Sequence, residues 1–165
     1  NGVDFGDLSD TGSSSAFSSP TRAIAVDNST NIMEFVTIST LGNAADFGDS
    51  TFAAGHRAWA SNAIRGVSFG GEPQPAGGVS NIIEFATIAT LGNASDFGDT
   101  IAAIKEGSAC SSSTRAVYGG GITPSYVDVM QYVHILSTGN SVDFGDLTIA
   151  RGHSDACSNG HGGLG

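Results

Sequence analysis

One four-residue segment, Asp-Phe-Gly-Asp, occurs four times in this chain, beginning at Asp4, Asp46, Asp96 and Asp143. The steps between copies are 42, 50 and 47 residues. That period is far too long for a coiled coil, and it matches a unit of several short strands better than a helical pair. Other residues keep the same time. Glu34, Glu84 and Gln131 each stand 12 residues before the first Asp of a copy, inside NIMEF, NIIEF and DVMQY. Arg22, Arg65 and Arg115 follow the first Asp by about 19 residues, and Gly162 replaces the Arg after the fourth copy. The 165 residues therefore hold about three and a half units of roughly 50 residues. They read as one repeat array, with units at about 9–50, 51–100 and 101–147. An incomplete unit is left over, from 148–165 together with 1–8.

Each unit reads as four strands. The first is small and polar, as in 56–62 and 107–113; the second, 65–71 or 115–121, is stopped by glycines. The third, 81–90, is rich in β-branched residues, and the fourth, 93–99, is entered through a Leu-Gly-Asn turn. No stretch joins a helical apolar period to a cap and adequate length, so helix should be nearly absent. The third strand is apolar on both faces, with Ile82, Ala86 and Ile88 on one and Ile83, Phe85 and Ala89 on the other. Such a strand belongs to a sheet packed between two others. The fold class expected is all-β, in four-stranded antiparallel repeats.

Symmetry about the second hairpin suggests specific pairs. Arg65 and Glu84 are equidistant from Pro73-Gln74-Pro75, Arg22 and Glu34 from Asn28-Ser29, and Arg115 and Gln131 from Thr123. Side chains directly opposite on antiparallel strands touch, which predicts cross-strand bridges. The four phenylalanines of the repeat, Phe5, Phe47, Phe97 and Phe144, are expected to anchor the fourth strands in the core between units. The glycine after each permits a bulge or a close backbone approach.

Charge narrows the function classes. Six Lys and Arg against 16 Asp and Glu give a net charge of −10. A surface so poor in cations does not neutralise phosphates, which argues against nucleic acid and anionic membranes as partners. No run approaches the about 20 apolar residues of a membrane span. The chain starts at Asn1 inside a repeat, as a processed or excerpted sequence would. Cys110 and Cys157 occupy one repeat position, where a small buried residue is expected; spacing alone does not decide whether they are bonded.

With the diglycine strand, the apolar strand after it and the period in hand, the units resemble kelch-like β-propeller blades. More narrowly, TLGNAxDFGD and CSSSTRAVYGGG are similar to repeats in kelch-like proteins of marine bacteriophages, cyanophages among them. The resemblance covers essentially the whole chain. It implies a propeller or partial propeller, and a structural component of a virion or tail fibre. Phe stands where kelch blades usually carry Trp on the fourth strand.

Several motifs invite chemistry and fail. DFG occurs four times without a phosphate loop, an HRD segment or a lysine in kinase context, Lys105 being the sole lysine. Asp46 and Asp49 offer too few oxygens for Ca²⁺. The serines of 110–115 lack a nucleophile elbow. Tyr118, Tyr126 and Tyr132 do not match the copper ligands of kelch-like oxidases. No enzyme activity and no cofactor are expected. His56, Glu106 and His153 share the position ten residues after the first Asp. Two imidazoles and a carboxylate converging there could bind a transition metal, although exposed side chains near a sheet edge are the plainer reading.

The function expected is a non-enzymatic structural or adhesive protein, virion-borne or extracellular. Its partners would be other copies of itself, other fibre proteins and a host surface glycan. The alternative is a carbohydrate-binding propeller module with Trp59, the sole tryptophan, as stacking platform.

Overall fold

A computed structural model describes residues 1–9, 12 and 14–158; the incomplete unit's residues 159–165, Gly162 included, lie outside the described residues. The architecture is all-β, with no helix among the described residues. The strands are β1 (Ser14–Ser18), β2 (Arg22–Asp27), β3 (Ile32–Thr37), β4 (Ala45–Asp49), β5 (Ala54–Gly55), β6 (Ala58–Ser61) and β7 (Arg65–Phe69). They continue as β8 (Glu72–Pro73), β9 (Ser80–Thr87), β10 (Ser95–Ile104), β11 (Ser108–Ser111), β12 (Arg115–Gly119), β13 (Val129–His134) and β14 (Val142–Asp146). Three antiparallel sheets of four strands form, ordered β1-β2-β3-β4, β6-β7-β9-β10 and β11-β12-β13-β14, and β5 pairs with β8 in a small two-stranded ribbon. Each large sheet is thus a meander of one repeat unit. The leftover segments differ from expectation. Residues 148–158 form no strand, and 1–8 dock on the first sheet by single hydrogen bonds without a ladder.

The sheets lie face to face, with the first strands side by side: β6 contacts both β1 and β11. Two apolar cores fill the gaps. Phe17, Ile24, Val26, Met33 and Phe47 of the first sheet meet Trp59, Ala86 and Ile88 of the second. Val67, Phe69, Ile83 and Phe97 of the second sheet meet Ala116, Tyr118, Val133 and Ile135 of the third. The middle sheet is covered on both sides, and β9 shows it: Ile83, Glu84 and Ala86 are all buried, as is Ile88 just beyond its end. The two-faced apolar pattern of that strand is explained by sandwiching.

The Asp-Phe-Gly-Asp repeat is a β-bulge. Asp46 pairs with Glu34 while Gly48 pairs with Met33, so Phe47 is the extra residue; Phe97 and Phe144 are extra in the same way. The bulge turns Phe47 and Phe97 into the cores, where each meets an aromatic of its own third strand, Phe35 or Phe85, edge to face. Phe5 and Phe144 depart from the expected core role, being 38% and 48% exposed. Nothing among the described residues packs a further sheet against either.

The expected Arg–Glu bridges are not formed. Arg22, Arg65 and Arg115 stand opposite Thr37, Thr87 and His134, each three residues beyond the expected Glu34, Glu84 or Gln131. An odd displacement puts the two residues of every pair on opposite faces of the sheet. The ladders centre near residues 29–30, 76 and 124–125, beyond the Asn28-Ser29, Pro73-Gln74-Pro75 and Thr123 midpoints, so each register is displaced. After β7, for example, Gly71 still accepts from Ser80 N within the hairpin while its own N–H bonds the Ile104 carbonyl.

Tyr118 of β12 is buried in the second core, and its hydroxyl accepts a hydrogen bond from Gly107 N at 2.9 Å. Burial raises its phenol well above the ordinary value of 10, outweighing the opposing Gly107 bond. The unfolded chain therefore loses this proton first, and stability present below about pH 10 falls as pH rises further. Unfolding midpoints measured along an alkaline series should drop for the native chain, and Tyr118→Phe should flatten that drop. Equal slopes for the two proteins would sink the assignment.

Candidate functional site

The repeat residues meet between sheets, not within them. Three kinds of tie recur. The first is a clasp between the bulge of one unit and the Gly-Asn turn of the next sheet. Gly92 N donates to Phe47 O at 2.8 Å and Ala94 N to Asp49 O at 2.7 Å, while Asp49 N donates to Asn93 Oδ1 at 3.0 Å. The same three bonds join Phe97 and Asp99 to Gly139, Asn140 and Ser141, at 2.7, 3.0 and 2.9 Å. They also join Phe5 and Asp7 to Gly42, Asn43 and Ala44, at 2.8, 3.1 and 2.8 Å. The glycine of each bulge is required by this approach. A Cβ on Gly48 would lie 2.6 Å from the Gly92 carbonyl, and on Gly98 2.5 Å from the Gly139 carbonyl, both at positive φ.

The second tie is the repeated arginine. Arg22 lies over the Phe35 ring, 4.7 Å from its centroid, and its Nη1 donates to Ile88 O of the next sheet at 2.9 Å. Arg65 lies over Phe85 at 4.2 Å and reaches Ile135 O at 3.4 Å. The guanidinium is held by a ring of its own sheet and satisfied by a carbonyl of the next.

The third tie is the Glu or Gln of the third strand, which captures the segment crossing from the preceding unit. Ser9 N donates to Glu34 Oε1 at 3.1 Å, Thr51 N to Glu84 Oε2 at 2.7 Å, and Ile101 N to Gln131 Oε1 at 3.0 Å. Among the described residues, Glu84 alone of the three is also met by a cation. Arg57 Nη1 donates to Glu84 Oε1, and both side chains are fully buried. Arg57 further donates to Ala54 O and Phe52 O, pinning the crossing loop. Desolvation lowers the Arg57 pKa from its ordinary value, against the pull of Glu84. No repeat signal marks Arg57, because Gly107 and Ser154 hold its place in the following units.

The third sheet carries the same parts with no following sheet among the described residues, only the segment 147–156 along one end of its face. Arg115 lies over Tyr132 at 5.2 Å, and Tyr132 meets Phe144 edge to face. Among the described residues Arg115 has no carbonyl from a following sheet, and nothing stands within 4 Å of a Cβ on Gly145. Met130, Val117 and Leu147 line a shallow cavity on this face.

The expected ligand residues fall differently. Trp59 is 8% exposed and stacked on Phe17, with centroids 4.5 Å apart, so its ring faces are in the core and not on offer to a sugar. Cys110 is half-buried and Cys157 exposed, and both are free thiols. Burial, with a smaller contribution from Cys157, raises the Cys110 thiol above its ordinary value.

His56, Glu106 and His153 do come together. All three are non-glycine residues at left-handed φ, 55°, 62° and 53°. A chain of backbone bonds links them, Glu106 N to His56 O at 2.9 Å and His153 N to Glu106 O at 2.8 Å. Glu106 Oε2 lies 2.8 Å from His153 Nε2. Glu72 of β8, which no sequence signal marked, joins them: potential ligand atoms of His56, Glu72 and Glu106 all lie within 4.8 Å of one another. A hydrogen bond from Lys105 holds the Glu72 carboxyl below its ordinary range.

Compared with protein-family models and with curated proteins, the chain matches none.

Proposed function

We propose that this chain is a non-enzymatic structural and adhesive repeat protein, its units kelch-like propeller blades, serving in a virion or extracellular fibre. The observation that carries this reading is the open copy of the inter-sheet tie. Two copies of the clasp join the three sheets, a third is filled by residues 1–9, and the fourth bulge presents Phe144, Gly145 and Asp146, with Arg115 beside it, and no turn against them among the described residues. The docked segment and the open one are also the same hexapeptide, Val-Asp-Phe-Gly-Asp-Leu, at 3–8 and at 142–147. The Gly42-Asn43-Ala44 turn that holds the first can therefore hold the second. Units add head to tail when β14 of one copy takes the place of residues 3–8 in the next, a heterologous contact that closes into rings or runs on as filaments. The resemblance of the repeats to those of phage kelch-like proteins supports a fibre as the setting of such an assembly. The buried Trp59 leaves the carbohydrate-binding alternative without its platform, and any contact with host glycan would fall to the loops.

Native mass measurement of the full chain across micromolar concentrations is the test. Oligomers that Phe144→Glu reduces to monomer are expected, together with an unchanged strand spectrum for the variant. A non-associating native monomer overturns the assembly reading, and absence of the protein from purified particles overturns the virion setting.

A further inference from the structure

We propose that the left-handed corners form a binding site for a divalent transition metal of the zinc type, with His56, Glu72, Glu106 and His153 as ligands. Three independent features converge there. The corners of successive units are tied by backbone bonds, which fixes where their side chains start. Ligand atoms of His56, Glu72 and Glu106 already share a sphere with no separation above 4.8 Å, and His153 Nε2 stands on Glu106. The Glu106 side chain is only 10% exposed, and its Oε2 has no hydrogen bond, only the ion-pair approach of His153 Nε2 at 2.8 Å, which carries a charge only when protonated. A buried carboxylate oxygen in that condition costs free energy unless a cation meets it.

The chemistry selects the ion. Two imidazoles with two carboxylates suit zinc, cobalt or nickel, whereas calcium and magnesium prefer oxygen alone. Bonds of about 2.0–2.2 Å in a tetrahedron bring ligand atoms to roughly 3.4 Å apart. The widest separation among His56, Glu72 and Glu106, 4.8 Å, must therefore close by roughly 1.4 Å, and His153 must swing in to join them; the imidazoles of His56 and His153 are exposed enough to move. Lys105 keeps one Glu72 oxygen and orients the other, as outer partners of a metal carboxylate do. Its charge offsets one of the two carboxylates, leaving one negative charge to meet the dication.

Calorimetric titration of the full chain with Zn²⁺, after treatment with chelator, is the experiment. One ion per chain is expected, with a rise in the thermal midpoint. Glu106→Gln should weaken binding by at least about tenfold, and so should His153→Ala. His56→Gly suits the left-handed corner and spares the fold, so it keeps the test valid where Glu106→Gln disturbs packing. Bound Co²⁺ should show the visible absorption of a tetrahedral site in the native protein and lose it in these variants. No stoichiometric ion, or an affinity unchanged by Glu106→Gln and His56→Gly, overturns the site. An affinity unchanged by His153→Ala alone overturns the four-ligand set. Because none of these residues belongs to the tie left open on the third sheet, failure here leaves the assembly reading standing.

Discussion

Glu84→Gln should destabilise the chain by about 3–5 kcal/mol, the cost of leaving a buried charge without its partner. The substitution keeps the oxygen that receives Thr51 N and removes the charge that faces Arg57. Arg57→Met should cost a similar amount by the converse route, with the loss of bonds to Phe52 O and Ala54 O added. The double variant should be far less damaged than the sum of the two. The reason lies in the next unit, where Gln131 receives Ile101 N and Ser141 Oγ at 3.0 and 2.5 Å with no cation beside it. Gln at this position with Gly107 in the place of Arg57 is thus a combination this repeat already uses. Urea unfolding of the four proteins closes the cycle, and a coupling of at least about 2 kcal/mol is expected. Additive costs would show that Glu84 and Arg57 act separately, the former on the crossing segment and the latter on its own loop.

That pair also marks the limit of what the sequence discloses. The third-strand acids are visible as a repeated position, and a bridge to the repeated arginines is the natural inference from hairpin symmetry. The inference fails by the same three residues in every unit. Strand identity follows from composition and alternation, which are local. Register follows from where each connecting turn centres, which neither the prolines of 73–75 nor the Asn28-Ser29 pair discloses. The strands, the absence of helix among the described residues and the sandwiched third strand were legible. The functions of Arg and Glu were not, because both work between sheets. Arg reaches a carbonyl of the following sheet and Glu the segment arriving from the preceding one. The same holds for Glu72: its pairing recurs in the third unit as the Lys105–Ile122 bridge, but Ile122 stands in its place there, so no repeated residue type points to it. The position of the corners, by contrast, was legible from spacing, since His56, Glu106 and His153 each stand ten residues after the first Asp of a copy. What spacing does not convey is the left-handed backbone that aims them.

Replacing the bulge glycines one at a time should separate closed ties from the open one. Gly98→Ala meets two penalties. Its φ of +148° is one that side chains rarely adopt, and its Cβ would stand 2.5 Å from the Gly139 carbonyl, which is backbone and does not yield cheaply. Strain at such a φ costs about 1–3 kcal/mol, and forced repacking adds about 1–3 kcal/mol more. Gly48→Ala should behave alike, its Cβ 2.6 Å from the Gly92 carbonyl. Gly145→Ala carries the φ penalty, at +129°, but no atom lies within 4 Å of its Cβ. In the dissociated chain the Gly145 variant should therefore be the most stable of the three, by about 1–3 kcal/mol. Its fault should appear elsewhere. If β14 docks on a Gly-Asn turn as β4 and β10 do, that Cβ meets a carbonyl only on assembly, and oligomers should weaken while the monomer holds. Urea midpoints for the three variants, with slopes equal to the native slope, measure the first effect, and native mass measures the second. Equal destabilisation at all three positions would mean that φ strain alone governs these glycines and that the close backbone approach contributes nothing. A Gly145→Ala chain that assembles as readily as the native one would leave the fourth bulge without a part in joining copies.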